Sequence, residues 1–286
     1  MTTSSTTTKS TATKPRPSTR PGPLGDLLRQ WRAARRASQM TIALDAGIST
    51  RHLSFIETGR SQPSREALIL IADALDIPLR ERNTLLNAAG YAHIYTQTPL
   101  DDPAMTHMRE VLTFMLDQHQ PYPAMALDRY WNLIMNNQAS TQLMGTFLAP
   151  DSPALQPEIN AMRILFHPEG LRPHIVNWEE VGGHLMARLH REAIEHGPDE
   201  QTHALLDEIS SYPGVPAGWR IPVPGERAPL LLTVHLRKGD LDLRMFTTIT
   251  TLGTPQDITL QELRIEAFFA ADPQTKSALK KIAATP

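Results

Sequence analysis

Residues 38–60 decide the fold: Ser38-Gln39-Met40-Thr41-Ile42-Ala43-Leu44-Asp45-Ala46-Gly47-Ile48-Ser49-Thr50-Arg51-His52-Leu53-Ser54-Phe55-Ile56-Glu57-Thr58-Gly59-Arg60. Ser38 and Ser49 are good N-cap residues, and each precedes a short run with apolar residues at helical spacing. Gly47 lies between the two runs, where a sharp joint needs a residue that adopts left-handed backbone angles cheaply. The pattern predicts two short helices that meet at an angle.

The flanking sequence extends this pattern into a small helical domain. One face of a preceding helix carries apolar residues at i, i+3, i+4 and i+7, namely Leu24, Leu27, Leu28 and Trp31. Ser64 caps a fourth helix, and a fifth helix follows Pro78 and runs to Gly90. We therefore expect an all-α domain of five helices over residues 24–92, with a helix-turn-helix at its centre.

Composition and charge describe a globular protein with a basic head. The chain has 286 residues, 41% hydrophobic and 20% charged, with no apolar run of the ~18 residues that a membrane span needs. Cysteine is absent, which excludes disulfides and thiolate metal sites. Residues 1–60 carry a net charge of +7 and the remainder −9. A basic head indicates contact with a polyanion, although a basic tail and chance explain the charge alone equally well. Residues 1–23 are expected to be a disordered basic tail, and the protein to be cytoplasmic.

The second half of the chain predicts a linker at 93–104 and an α+β domain over 105–286. A helix with spaced methionines and leucines comes first, followed by a strand hairpin at Ala124–Asn137. Later segments are a helix at Gln138–Phe147, a mainly helical region at 158–210, an irregular proline-rich connection, strands at Leu230–Arg237 and Leu241–Leu252, a last strand over Leu260–Ala270 and a short tail helix. This order, a hairpin, helices and then further strands, is typical of a PAS-like sensor fold.

Side chains that face outward from the helix after Gly47 are candidates to contact DNA. The candidates on this helix and at its two ends are Ser49, Thr50, Arg51, His52, Ser54, Phe55 and Arg60. Arg51 is the best base contact because a guanidinium fork fits guanine O6 and N7, and a phosphate contact is nearly as plausible. Arg60 is expected to contact phosphate, and Glu57 to pair with Arg35 or Arg36. The alternative is that this helical bundle binds another protein instead of DNA.

The span 38–60 resembles the helix-turn-helix of the XRE/Cro-repressor family. The chain as a whole resembles the MmyB-like regulators through six separated motifs: 51–60, 86–92, 121–124, 127–132, 166–171 and 247–255. The resemblance covers residues 24 to about 283. It implies an XRE-type head followed by a PAS-like domain that holds a hydrophobic small molecule such as a fatty acid. It also implies that Gln39 and Thr50 contact the DNA backbone. Met40 and Thr41 depart from the family's usual pattern, in which Glu or Gln is frequent at these two positions.

The ligand candidates are apolar residues that a PAS-like fold would gather around one cavity, with His167 or Arg244 to meet a head group. They are Met125, Leu127, Phe147, Leu165, Phe166, His167, Arg244 and Phe246. A homodimer on an inverted-repeat operator is expected, since one helix reads too few base pairs. The alternative is a second domain that serves dimerisation or a protein partner without a ligand. No cofactor or metal is expected, because the spacing of His184, His190, His196 and His203 suits no metal site and no complete enzyme motif occurs.

Overall fold

The computed structural model describes residues 22–195, 199–220 and 231–284, and the chain divides into two compact units at Thr96 and Gln97. The expected disordered tail lies outside the described residues, except for Gly22 and Pro23, where the first helix begins. His196, residues 221–229 of the proline-rich connection and Leu230, the expected first residue of a strand, also lie outside them.

The first unit is all α-helical. Its described residues form five helices: α1 (Pro23–Ala34), α2 (Gln39–Asp45), α3 (Thr50–Glu57), α4 (Arg65–Ala74) and α5 (Leu79–Ala88). The hydroxyls of Ser38, Ser49 and Ser64 accept backbone N–H groups at the starts of α2, α3 and α4, which confirms the three predicted caps. The apolar faces of all five helices pack into one core. The predicted five-helix domain is therefore confirmed.

The segment 93–104, expected to be a linker, is anchored on both sides of the division. The buried Asn83 side chain accepts from the N–H groups of Ile94 and Tyr95, and it donates to the Tyr95 carbonyl at 2.8 Å. Thr98 donates from its N–H and its hydroxyl to the buried carboxylate of Asp257, the hydroxyl at 2.8 Å. The residues on each side of Thr96 and Gln97 are thus hydrogen-bonded to their own unit.

The second unit is α+β, as predicted. Its described helices are α6 (Thr106–Asp117), α7 (Gln138–Phe147), α8 (Ala161–Phe166), α9 (Trp178–Glu195), α10 (Glu200–Ser211), α11 (Ile258–Glu262) and α12 (Pro273–Ala283). Its described strands are β1 (Ala124–Leu127), β2 (Leu133–Asn136), β3 (Thr233–Lys238), β4 (Leu241–Thr250) and β5 (Arg264–Ala270). None of the described helices in either unit is both long and apolar enough to cross a membrane.

The last strand starts later in the structure than the sequence predicts. The apolar pattern of Leu260–Ala270 was expected to form a strand throughout, but Asp257 caps the short helix α11 and strand β5 begins only at Arg264. The Asp257 carboxylate accepts the N–H of Thr259 at 2.8 Å, so a polar cap overrides the β-propensity of the residues that follow.

The described strands form one antiparallel sheet in the order β2-β1-β5-β4-β3. Helix α6 covers one face of the sheet, which we call the outer face, through Leu112 and Leu116. The other face, here the inner face, carries two apolar clusters. The first contains Leu127, Met162 and Phe166 and is continued by α9 and α10, and the second joins β3 and β4 to α7, α9 and α12. The hairpin β1–β2, the intervening helices and the last three strands follow the order expected from the sequence.

Candidate functional site

The joint between α2 and α3 has the backbone that the sequence requires. Gly47 adopts a φ of +66°, a left-handed conformation that costs a residue with a side chain more. Ala43 and Ala46 are buried at this joint, where their small size lets the helices approach. The Ser49 hydroxyl accepts the N–H of His52 at 3.1 Å, so this side chain is committed to capping α3.

Helix α3 presents a polar face to solvent. Leu53 and Ile56 are buried in the core of the unit. Thr50 and Arg51 are exposed, and the side chains of His52, Ser54 and Phe55 are half-buried, which leaves all five on the accessible side of α3. Arg60, just beyond the helix, is also exposed. The structure therefore brings together seven of the eight sequence-predicted DNA candidates at α3 and its ends: Ser49, Thr50, Arg51, His52, Ser54, Phe55 and Arg60.

Two arginines flank the Phe55 ring. The guanidinium carbon of Arg51 lies 5.2 Å from the ring centroid, and that of Arg60 lies 6.0 Å from it. Among the described residues neither arginine has a carboxylate partner. Both charges are therefore available to an external anion.

Glu57 is the buried acid beneath this surface, and its partner differs from the prediction. The carboxylate is 2% exposed and accepts two bonds from Arg32, from Nε at 2.8 Å and from Nη2 at 3.1 Å. These bonds raise the pKa of Arg32. The predicted pairing with Arg35 or Arg36 is wrong, because Arg35 instead donates to the carbonyls of Leu75 and Asp76.

Gln39 is held by the same carboxylate. Its Nε2 donates to Glu57 Oε2 at 2.7 Å, which fixes the side chain at the start of α2. The carboxylate thus ties α1, α2 and α3 together through Arg32, Gln39 and its own helix. Sequence reasoning selected Gln39 only through the family resemblance and missed this partner.

In the second unit, the inner face gathers most of the predicted ligand residues. Met125, Leu127 and Phe166 lie in the first apolar cluster, and Phe147 lies in the second. Leu165 packs against both clusters. The ring of His167 stands edge-on to Tyr212 at 5.1 Å, and its Nδ1 accepts the N–H of Glu169.

Two predicted ligand residues are on the other side of the sheet. Met245 packs in an inner cluster, so its neighbours Arg244 and Phe246 face outward by the alternation of the strand. Phe246 stacks on Phe269 at 5.3 Å, and Phe269 in turn meets the ring of His119. The hypothesis that Arg244 and Phe246 reach the same cavity as Met125 is therefore wrong.

The residues between the two inner clusters retain accessible surface. Leu165, Trp178 and Leu185 pack against both clusters and yet are only half-buried, as are Met125 and Phe268 on the sheet below. A residue in the middle of a filled core is normally fully enclosed. The middle of the inner face is therefore incompletely covered by the side chains of the residues that the structure describes.

Glu266 is an acidic residue of the sheet on this apolar face, and the sequence analysis missed it. It lies directly opposite Met125 in the pairing of β1 with β5, which places the two side chains on the same face. Burial raises its pKa, while a hydrogen bond with Thr247 and the charges of Arg188 and Arg264 act in the opposite direction. The sequence could have indicated Glu266, because it is the single acidic residue within the apolar run of β5.

A charged network borders Glu266. Arg188 and Arg264 both donate to Glu192 Oε1, at 3.1 and 2.8 Å, and their guanidinium groups lie over the ring of Trp131. The Trp131 indole donates to Glu192 Oε2 at 2.9 Å. The buried carboxylate is thus compensated by three donors, which fixes one end of the inner face.

Metal ligation has no support in the part of the chain that the structure describes. No group of three or more His, Asp or Glu side chains there could hold a metal ion. Burial lowers the pKa of both His184 and His190.

Comparison with known proteins gives a consistent result for both units. Residues 108–282 match the model of the MmyB-like transcription regulator ligand binding domain, and residues 23–85 match a helix-turn-helix domain model. Among solved structures, the chain is similar to the restriction-modification controller protein C.AhdI from Aeromonas hydrophila, with 34% identity over 21% of this chain and 89% of that chain, and a TM-score of 0.20. It is also similar to an RNA-binding light-oxygen-voltage receptor, with 13% identity over 92% of this chain and 62% of that chain, and a TM-score of 0.27. No curated protein matches the chain.

Proposed function

The chain belongs to the MmyB-like transcription regulators, in which a DNA-binding helix-turn-helix unit is joined to a ligand-binding domain, and we propose that a small apolar ligand in the second unit controls DNA binding by the first. Such a regulator acts where DNA is, so we place it in the cytoplasm.

Helix α3 is proposed to read the major groove. Its exposed face carries Thr50 and Arg51 next to His52 and Phe55, and a helix of this size fits the groove of B-DNA. Arg51 is assigned to a guanine, and Arg60 and Gln39 to the phosphate backbone. Since one such helix distinguishes only a few base pairs, the protein binds as a homodimer to an inverted repeat with half-sites about one helical turn apart.

A matched pair of variants tests these assignments. An operator is first selected from random DNA, and affinity for operator and scrambled duplexes is measured by fluorescence anisotropy. Arg51→Ala should weaken the operator by about 1–3 kcal/mol and relax one base-pair position, while Arg60→Ala should weaken both duplexes alike. Equal losses on both duplexes for Arg51→Ala would show that Arg51 contacts phosphate.

The ligand is proposed to lie on the middle of the inner face. The observation that carries this proposal is the incomplete cover over Met125, Leu165, Trp178 and Leu185. Apolar walls with few polar groups suit a chain-like or flat hydrophobic molecule, and Glu266 supplies a polar group there. The order of strands and helices expected of a PAS-like sensor, together with the fatty-acid-like ligand implied by the resemblance, supports the same assignment.

Two methionines of adjacent strands test the location. Met125 faces the inner clusters, while Met135 packs on the outer face, and both are half-buried. Met125→Trp should reduce the binding of an apolar fluorescent dye at least tenfold and leave DNA binding insensitive to it. Met135→Trp should retain both properties. Equal dye binding by the two variants would place the ligand elsewhere and would favour a second unit that serves dimerisation or a protein partner.

A further inference from the structure

Phe55 stands between the two arginines of the DNA-binding surface. Arg51 precedes it by one helical turn, which puts the two side chains on the same strip of α3. Their separation of 5.2 Å from guanidinium carbon to ring centroid is within the range of a cation–π interaction. The ring therefore holds one guanidinium on the exposed side of the helix.

Arg60 reaches the same ring by a different route. Gly59 adopts a φ of +70° and reverses the chain at the end of α3. The carbonyl of Phe55 then accepts the N–H of Arg60 at 2.8 Å and that of Ser61 at 3.2 Å. The Thr58 hydroxyl closes the same turn by donating to the Ser54 carbonyl at 2.7 Å. The backbone thus fixes Arg60 beside Phe55, with the guanidinium carbon 6.0 Å from the ring centroid.

Phe55 is not part of the apolar core of the first unit. The apolar core of the first unit, among the residues that the structure describes, is built from other side chains, including Leu53 and Ile56 of the same helix. An aromatic ring that is half-exposed and outside the core contributes little to the packing of that core. Its close neighbours are two cationic side chains without carboxylate partners.

We infer that Phe55 is a positioning residue for DNA recognition, which orients Arg51 and Arg60 toward a base edge and a phosphate. Arginine has many rotamers, and a guanidinium stacked on a ring loses less freedom when it binds. This inference rests on the proposed DNA-binding role of α3. It differs from the simpler reading in which Phe55 itself contacts a thymine methyl group.

A double-mutant cycle on the full-length chain separates the two readings. Phe55→Leu, Arg51→Ala and the double variant are titrated with the selected operator and with scrambled DNA. Phe55→Leu should weaken operator binding about fivefold, and Phe55→Tyr, which keeps the aromatic face, should restore it to within twofold. In the Arg51→Ala background, where only the contact with Arg60 remains, Phe55→Leu should cost clearly less than the fivefold that it costs in the wild type. Phe114→Leu, at an exposed phenylalanine of α6, is the matched control and should change nothing.

The outcomes are distinct from those that test the proposed function. If the losses from Phe55→Leu and Arg51→Ala multiply in the double variant, Phe55 acts independently of Arg51 and the inference is overturned. The same holds if Phe55→Leu relaxes a base-pair position different from that of Arg51→Ala. If Arg51→Ala weakens operator and scrambled DNA alike but remains coupled to Phe55, Arg51 is a phosphate contact that Phe55 still positions. Unchanged hydrogen exchange of α3 in Phe55→Leu excludes unfolding as the cause.

Discussion

Replacing Glu57 with Gln removes the charge that ties three helices of the DNA-binding unit together. The carboxylate receives three side-chain hydrogen bonds, two from Arg32 and one from Gln39 at 2.7 Å, and it is 2% exposed. A glutamine keeps the volume but offers one acceptor oxygen and turns an NH2 group toward a donor. Two charge-assisted bonds are lost or weakened, each worth about 1.5–3 kcal/mol.

The expected loss of stability is about 3 kcal/mol, at the lower end of the cost of breaking a buried ion pair. The lower end applies because the Arg32 side chain is 23% exposed and water can solvate part of the abandoned guanidinium. A loss of this size increases local opening of the first unit roughly 150-fold, at 1.36 kcal/mol for each factor of ten.

Native-state hydrogen exchange of the full-length chain measures this effect on the amides of α1–α3, without requiring the two units to unfold together. Arg36→Gln is the control, since Arg36 was the alternative partner expected from the sequence and is exposed. Its effect should stay below about 0.5 kcal/mol. The reasoning is refuted if Glu57→Gln and Arg36→Gln change exchange equally, or if neither changes it.

Three further predictions concern packing and ionisation. A Cβ on Gly25 would overlap the backbone carbonyl oxygen of Glu57, so Gly25→Ala should cost about 1–3 kcal/mol in thermal melts. Gly145→Ala is the control and should cost nothing, because a Cβ there would meet open space. Burial raises the pKa of Glu266, so ionisation of this carboxyl destabilises the fold as the pH rises above about 4.5. Glu266→Gln should therefore raise the melting temperature of the second unit more at pH 8 than at pH 5. An equal gain at both pH values would contradict this. Burial, with the hydrogen bond to Glu208, raises the pKa of Tyr212 to about 12 from 10.0, so this pair contributes stability below pH 10 that is lost as pH rises through about 12. An ultraviolet titration of wild type minus Tyr212→Phe should show that late phase, and Glu208→Gln should move it to lower pH.

Local signals predicted the helical unit well because its elements are decided by nearby residues. Three serine caps lie where the sequence places them, and the hairpin Ala124–Asn137 and the helix Gln138–Phe147 follow from short patterns. Asn137 caps that helix, because its side chain accepts the N–H of Ser140.

The face of Phe246 and the partner of Glu57 depend on contacts between residues far apart in the sequence, which local patterns do not reveal. Which side of β4 faces inward depends on its register with β5, and β5 begins 14 residues after β4 ends. The sequence pattern does not show this register, and Phe246 was therefore assigned to the wrong face. The partner of Glu57 depends on the approach of α1 to α3, which brings Arg32 rather than Arg35 to the carboxylate. The caps and turns need no such information.

The central claim, that a ligand in the second unit controls DNA binding by the first, has one direct test. Wild-type protein is purified and denatured, any small molecule released is identified by mass spectrometry, and operator affinity is measured for refolded protein with and without that molecule. The account predicts one apolar compound per chain and an affinity change of about 5–150-fold, a typical coupling between two sites. It further predicts that Met125→Trp abolishes the change while Met135→Trp preserves it. The absence of any bound compound, or operator affinities within twofold in its presence and absence, would contradict the claim.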